Sequence, residues 1–164
     1  MTCFRKPRLE WLFIRIYLNT STLNRPFDDQ SAERVRLEAE AMAVLFAAVE
    51  AGTIEWIGSD YLEFEVSQNP NFEKKERVRV LLKFIKDGVK ITPGIIESAR
   101  QLEGSGLRGI DALHIASATA GRVELLVTSD DRMIKRARRI AAELPFQVVR
   151  PTEAVDLLQK EEDG

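Results

Sequence analysis

Four positions in this chain could do chemistry together: Asn19, a glutamate at either 63 or 65, Asp111 and Asp130. Asn19 ends the apolar run Phe13-Ile14-Arg15-Ile16-Tyr17-Leu18, and Asp130 comes just after a second run, Leu125-Leu126-Val127-Thr128. In an open parallel sheet, ligands bind beyond the carboxyl ends of the strands, so both residues sit at the mouth of the expected site. Asp111 falls in the first turn of a helix over 110–121, where the helix dipole favours a carboxylate in any case, and Asp130 is equally suited to capping the helix that follows it. Glu63 and Glu65 are two residues apart on a short helix, so only one of them can face the end of the sheet. An acidic cluster at a sheet edge suits a hard divalent cation. Mg²⁺ takes oxygen ligands, keeps several waters and combines few carboxylates with substrate phosphates. Without a cation the same cluster repels phosphate.

The elements that must hold these residues alternate between strand and helix patterns. A strand over 13–18 is followed by turn formers and acids at 22–29, then by a helix in which Val35, Ala39, Met42, Phe46 and Val49 recur at helical spacing. Arg34, Arg36, Glu38 and Glu40 fall largely on its other faces, and Gly52 stops it. A second strand over 54–58 leads through Ser59 or Asp60 into the short helix that ends near Asn69-Pro70. A third helix over 73–86 buries Val78, Leu81, Leu82 and Ile85, and an edge strand follows at 89–91. Thr92-Pro93 starts a helix carrying Ile95, Ala99 and Leu102. The helix over 110–121, a strand over 125–128, a helix to 142, a strand over 146–149 and a last short helix complete the chain. Such alternation makes a doubly wound sheet with helices on both faces the economical architecture.

Composition narrows the setting. With 164 residues and 45% of them apolar, the chain can build one globular domain with a real core. One cysteine, Cys3, excludes an intramolecular disulfide framework and a multi-cysteine zinc site, and the expected compartment is the reducing cytoplasm. Lys and Arg number 24 against 26 Asp and Glu, a formal net charge of −2, so nucleic-acid binding would need locally concentrated charge. Positive charges precede an apolar stretch near the start, but Glu10 and Arg15 interrupt it and no small-residue cleavage pattern follows. Residues 1–12 therefore read as an extension, with no signal peptide and no membrane span. The domain is expected over 13–158 and a charged tail over 159–164.

Four segments carry a resemblance: 16–29 around Leu18-Asn19-Thr20-Ser21, 59–70 around Leu62-Glu63-Phe64-Glu65, 109–116 around Asp111-Ala112-Leu113-His114, and Val127-Thr128-Ser129-Asp130-Asp131. Each is weak alone, but in this order, on these elements, they resemble the PIN-domain family over roughly residues 14 to 150. The resemblance implies a three-layer α/β/α fold with a central, mostly parallel sheet. It also implies an endoribonuclease that cleaves single-stranded RNA with Mg²⁺ or Mn²⁺, as the VapC-type toxins of toxin–antitoxin pairs do. The partners it implies are RNA, a small antitoxin protein and a second copy of the chain. Matched residue by residue, the family's first aspartate falls on Asn19, its glutamate on Glu65, and its remaining acids on Asp111 and Asp130. Asn69-Pro70 at the matching offset favours Glu65 over Glu63, and Ser21 and Thr128 match polar positions lining the same pocket.

Asn19 is the departure from that pattern. An amide keeps an oxygen ligand but removes a negative charge and any basic function. The gross attraction between unit charges is about 4 kcal/mol at ~4 Å with an effective dielectric of ~20, and it doubles for a divalent ion before desolvation is counted. Two readings follow: a ribonuclease with weakened metal binding and slower cleavage, or a module that binds RNA or protein without cleaving. A phosphatase of the haloacid-dehalogenase type needs an aspartate nucleophile and a second aspartate two residues later, and Asn19 and Ser21 exclude it. His114, the only histidine, reads as a structural side chain, and Asp28 and Asp29 read as helix-start residues. In the basic helix after Asp130, Arg132, Lys135, Arg136 and Arg139 are candidates to track a phosphate backbone, with Arg25 a weaker one. A solvated outer face explains the same charges equally well.

Overall fold

The computed structural model describes residues 14–162. The expected extension at 1–12 with Cys3, residue Phe13 and the last two residues of the expected tail lie outside the described residues.

Strand β1 (Ile14–Leu18) is the centre of the sheet, and Ile16, Tyr17 and Leu18 are fully buried. A strand covered on both faces reads as a continuous apolar run, which is the pattern that singled it out. Each such side chain contributes roughly 1.5–3 kcal/mol by leaving water. Strands β2 (Ile54–Ser59) and β4 (Leu125–Val127) flank β1, while β3 (Asp87–Val89) and β5 (Gln147–Val149) form the edges. All pairings are parallel, in the order β3-β2-β1-β4-β5. The chain builds one half of the sheet outward from β1, then returns to build the other half from β4. The topological switch point therefore lies between β1 and β4, where an open α/β sheet leaves its ligand crevice.

Helices α1 (Thr20–Asn24) and α2 (Glu33–Glu50) follow β1, and α3 (Asp60–Ser67) and α4 (Phe72–Leu81) follow β2. α5 (Pro93–Gly104) and α6 (Gly109–Ala120) lead into β4, α7 (Asp131–Arg139) follows it, and α8 (Pro151–Glu162) follows β5. The architecture is a three-layer α/β/α sandwich. α2 packs on β2 and α8, and α6 pairs with α5 while packing against β2 and β3. Gly121 ends α6 and lets it lie close to the sheet, since a Cβ there would come within 2.7 Å of Ile57 Cγ2. Among the described residues no helix is long and apolar enough to cross a membrane.

Local differences from the sequence pattern have physical causes. The edge strand forms at Asp87–Val89 rather than 89–91, because the ladder with β2 starts early, with Lys86 N donating to Trp56 O at 2.8 Å. Ile91 N turns instead to Asp60 Oδ2. The helix expected over 73–86 ends at Leu81 and continues as a 3₁₀ turn over Leu82–Phe84. The helix expected to reach 142 ends at Arg139, with a 3₁₀ turn over Ala141–Glu143. Glu38, expected on an outer face, is 2% exposed, and Arg25 Nε and Arg34 Nε each reach it at 2.8 Å. Paired guanidinium groups are what make a buried carboxylate tolerable. Residues 22–24, read as part of a turn, belong to α1, and α8 continues as far as Glu162.

Candidate metal centre

Asn19 leaves β1 by extending its ladder, its N–H donating to Val127 O at 2.9 Å. Its Oδ1 then accepts from Ser21 N at 3.2 Å and caps α1. The amide nitrogen faces the buried Met133, donating to Sδ at 3.3 Å. Ser21 N–H requires an acceptor, which fixes the oxygen on that side and the NH₂ group toward sulfur. A carboxylate in the same pose would press an oxygen against the thioether.

Asp130 caps α7, its Oδ1 accepting from Arg132 N at 2.9 Å and Met133 N at 3.2 Å. Short hydroxyl side chains tie its loop to the one after β1. Ser21 Oγ accepts from Ser129 N at 3.0 Å and lies 3.3 Å from Thr128 Oγ1, which accepts from Asp130 N at 3.1 Å. Asn19 and Asp130 are thereby held on the two sides of the switch point.

Asp111, in the first turn of α6, is 7% exposed, and its Oδ2 is buried with no hydrogen-bond partner. Burial and then the charge of Asp130 push its carboxyl above the usual range, against the weaker pull of Arg108, His114 and Arg136. Arg136 itself holds a buried Nη1 without a partner. The charge of Asp130 thus acts on Asp111, and among the described residues neither carboxylate is held in an ion pair.

Glu65 is engaged differently. Thr20 Oγ1 donates to its Oε1 at 2.6 Å, and His114 Nε2 lies 2.6 Å from the same oxygen. On the other side of the ring, Tyr17 OH is 2.7 Å from His114 Nδ1 and 2.7 Å from Ser59 Oγ, which caps α3 by accepting from Leu62 N. The carboxylate can only accept, so the imidazole carries a proton on Nε2, and when neutral it takes the Tyr17 hydroxyl proton at Nδ1. Burial opposes ionisation of Glu65, but His114 and the Thr20 hydroxyl outweigh it and hold the carboxyl below its ordinary range. Burial likewise drives the Tyr17 phenol upward. Glu63 is exposed on another side of α3.

His114, read from sequence as structural, is fully buried and is the link between β1, β2 and Glu65. The signal for it was present: it lies one turn after Asp111 on the same helical face. In α7, Arg132, Lys135 and Arg139 are exposed, and Arg138 pairs with Glu153 at 2.8 Å. Arg25 is committed to Glu38 and Asp28.

Among the described residues, no group of three or more His, Cys, Asp or Glu side chains converges as a metal-binding set. Asp111 and Asp130 remain as two carboxylates without an ion-pair partner among the described residues, and two are enough for Mg²⁺, which keeps several of its own waters. The orphaned Asp111 Oδ2 fits a cation at this place. Glu65 and Asn19 would have to leave the protein partners they now hold.

The sequence model described as the PIN domain matches residues 16–140. Among solved structures, a chain from the crystal structure of VapBC2 from Rickettsia felis bound to a DNA fragment from their promoter is similar in fold, with a TM-score of 0.54. It is 15% identical, and the alignment covers 84% of this chain and 98% of that one. No curated protein matches the sequence.

Proposed function

The chain belongs to the PIN-domain family, and from that premise we propose that it is a Mg²⁺- or Mn²⁺-dependent endoribonuclease cleaving single-stranded RNA, paired with a small antitoxin protein. One observation carries the proposal: Asp111 is buried in the first turn of α6 with an unpartnered Oδ2, its ionisation opposed by burial and by the charge of Asp130. Unmatched carboxylates in a crevice are expensive for a fold to keep and cluster where function requires them.

In this reading Asp111 and Asp130 hold the cation, and Glu65 is set in place beside them by His114 and Thr20. When bound, the cation supplies a Lewis acid for the scissile phosphate and lowers the pKa of a water. Ser21 and Thr128 keep the loops after β1 and β4, and so Asn19 and Asp130, at a fixed separation. Arg136 sets positive charge near Asp111, and the exposed cations of α7 give a phosphate backbone a path past the acids. The fold shared with a chain of VapBC2 supports the antitoxin as partner.

The neutral amide of Asn19 lowers the attraction for a divalent ion and slows cleavage. A second reading, a PIN-like module that binds RNA or protein without cleaving, is favoured by one feature. Asn19 is satisfied at both ends by Ser21 N and Met133 Sδ, and Glu65 by Thr20 and His114, so two of the four candidate ligands already have protein partners. Restoring the charge with Asn19→Asp and assaying single-stranded RNA with Mn²⁺ or Mg²⁺ separates the two. The ribonuclease reading expects faster cleavage and tighter metal binding than in the parent. A revertant that gains neither removes Asn19 as the limiting residue, and absence of cleavage in both proteins leaves the binding module.

A further inference from the structure

Helix α3 carries more than Glu65. Its Tyr61 and Phe64 rings stack with centroids 6.3 Å apart and 28° between planes. Tyr61 leans in turn on His114, 5.0 Å away between centroids. His114 itself bonds Glu65, which places Tyr61 beside that carboxylate at the rim of the acidic site. Phe64 is 57% exposed, and its contact with Tyr61 leaves the rest of the ring to solvent.

Helical residues advance by about 100° each, so the order around α3 is Glu65, Tyr61, Phe64, Ser67 and Glu63. The last two line a groove of about 530 Å³ together with Lys75, Arg79 and Leu82. A path thus leaves the acidic site across two aromatic rings and enters a groove lined by Lys75, by Arg79, which also pairs with Glu76, and by Glu63. Single-stranded nucleic acid is held by that combination, with rings for its bases and cations for its phosphates.

We infer that Phe64, backed by Tyr61, is a stacking platform for an unpaired RNA base next to the cleaved phosphodiester, and that it selects single strands over duplexes. The inference rests on the ribonuclease reading of the acidic site and deepens it. A base inside a duplex is stacked between its neighbours and has no free face to offer, whereas an unpaired base can be splayed onto an aromatic side chain. The position of the rings between the acidic site and the Lys75 ammonium favours RNA over a protein segment as the occupant.

The test is fluorescence anisotropy with a short single-stranded RNA in Ca²⁺, which keeps cleavage slow, on the parent, Phe64→Ala and Phe64→Trp. The single abasic position in a second RNA series is moved along the strand. Phe64→Ala should weaken single-strand binding by about 5- to 150-fold, which is ~1–3 kcal/mol at 1.4 kcal/mol per tenfold, and should leave duplex binding unchanged. Phe64→Trp should retain binding. One abasic position should cost the parent a similar factor and cost Phe64→Ala nothing more. Equal single-strand binding by parent and Phe64→Ala, no binding by the parent, or losses that add at every abasic position would each overturn the platform. The readout is binding, so cleavage with Phe64→Ala unaffected refutes only the platform. Coupled binding without cleavage, even in Asn19→Asp, refutes only the ribonuclease reading.

Discussion

Asp130 and Asp131 are adjacent, yet one caps α7 with no ion-pair partner among the described residues and the other is gripped by two guanidinium groups. Arg34 bonds both Asp131 oxygens, at 2.7 and 2.8 Å, Arg150 adds a third contact at 3.0 Å, and the carboxyl is pushed down to about 2. The same Arg34, with Arg25, holds the buried Glu38. In this network each acid is matched by a cation, which welds α2 to the start of α7. Asp111 and Asp130 have no such match. Charge that is neutralised within the chain holds the fold together, while charge left over at a sheet mouth is available for a ligand.

The matched side should break hardest. Glu38→Ala removes two charge-assisted hydrogen bonds made by Arg25 and Arg34 to a buried carboxylate and should cost about 3 kcal/mol. At roughly 2–4 °C per kcal/mol for a domain of this size, the melting temperature should fall by about 6–12 °C. Mn²⁺ affinity, measured on the folded variant, should stay unchanged; a fall in affinity without loss of stability would erase the distinction between the two acidic groups. On the unmatched side, His114→Phe removes the partner that aims Glu65 and should weaken Mn²⁺ binding by ~10–100-fold, as loss of an outer-shell partner generally does. His114→Gln, which can still donate to Glu65, should recover part of that loss, and no recovery would reduce His114 to a packing residue.

The smallest effect concerns the fold without metal. The Asp111 carboxyl is raised, so its contribution to stability is greatest when protonated, at low pH, and falls as pH rises through that raised value. Glu65 is lowered, so its contribution is present above the ordinary glutamate range and is lost as pH falls through the lowered value. Asp111→Asn should therefore raise the metal-free melting temperature at neutral pH by ~2–4 °C, for about 1 kcal/mol, and flatten its decline with pH. A drop in melting temperature would mean that Asp111 is matched after all.

The architecture and the placement of Asn19 and Asp130 at the sheet mouth were legible because both follow from patterns along the chain. The apolar run at β1, broken only by Arg15, marks a strand buried on both faces, and the polar residues just beyond β1 and β4 necessarily lie at the sheet mouth. What could not be read were side-chain partnerships between distant segments. The bond from His114 to Glu65 spans 49 residues and leaves no periodic trace. Glu38 looked like an outer-face charge because its burial depends on Arg25, which lies before the helix begins. β3 is short and largely exposed, with an aspartate at its start, so the apolar residues just after it drew the strand two positions too late.

Titration calorimetry with Mn²⁺ on the parent and on Asp111→Asn tests the central claim most directly. The account predicts that the parent binds Mn²⁺ and that Asp111→Asn weakens binding by at least ~100-fold, the upper end of what loss of even an outer-shell partner costs. A parent that binds no Mn²⁺, or equal binding by both proteins, would contradict it.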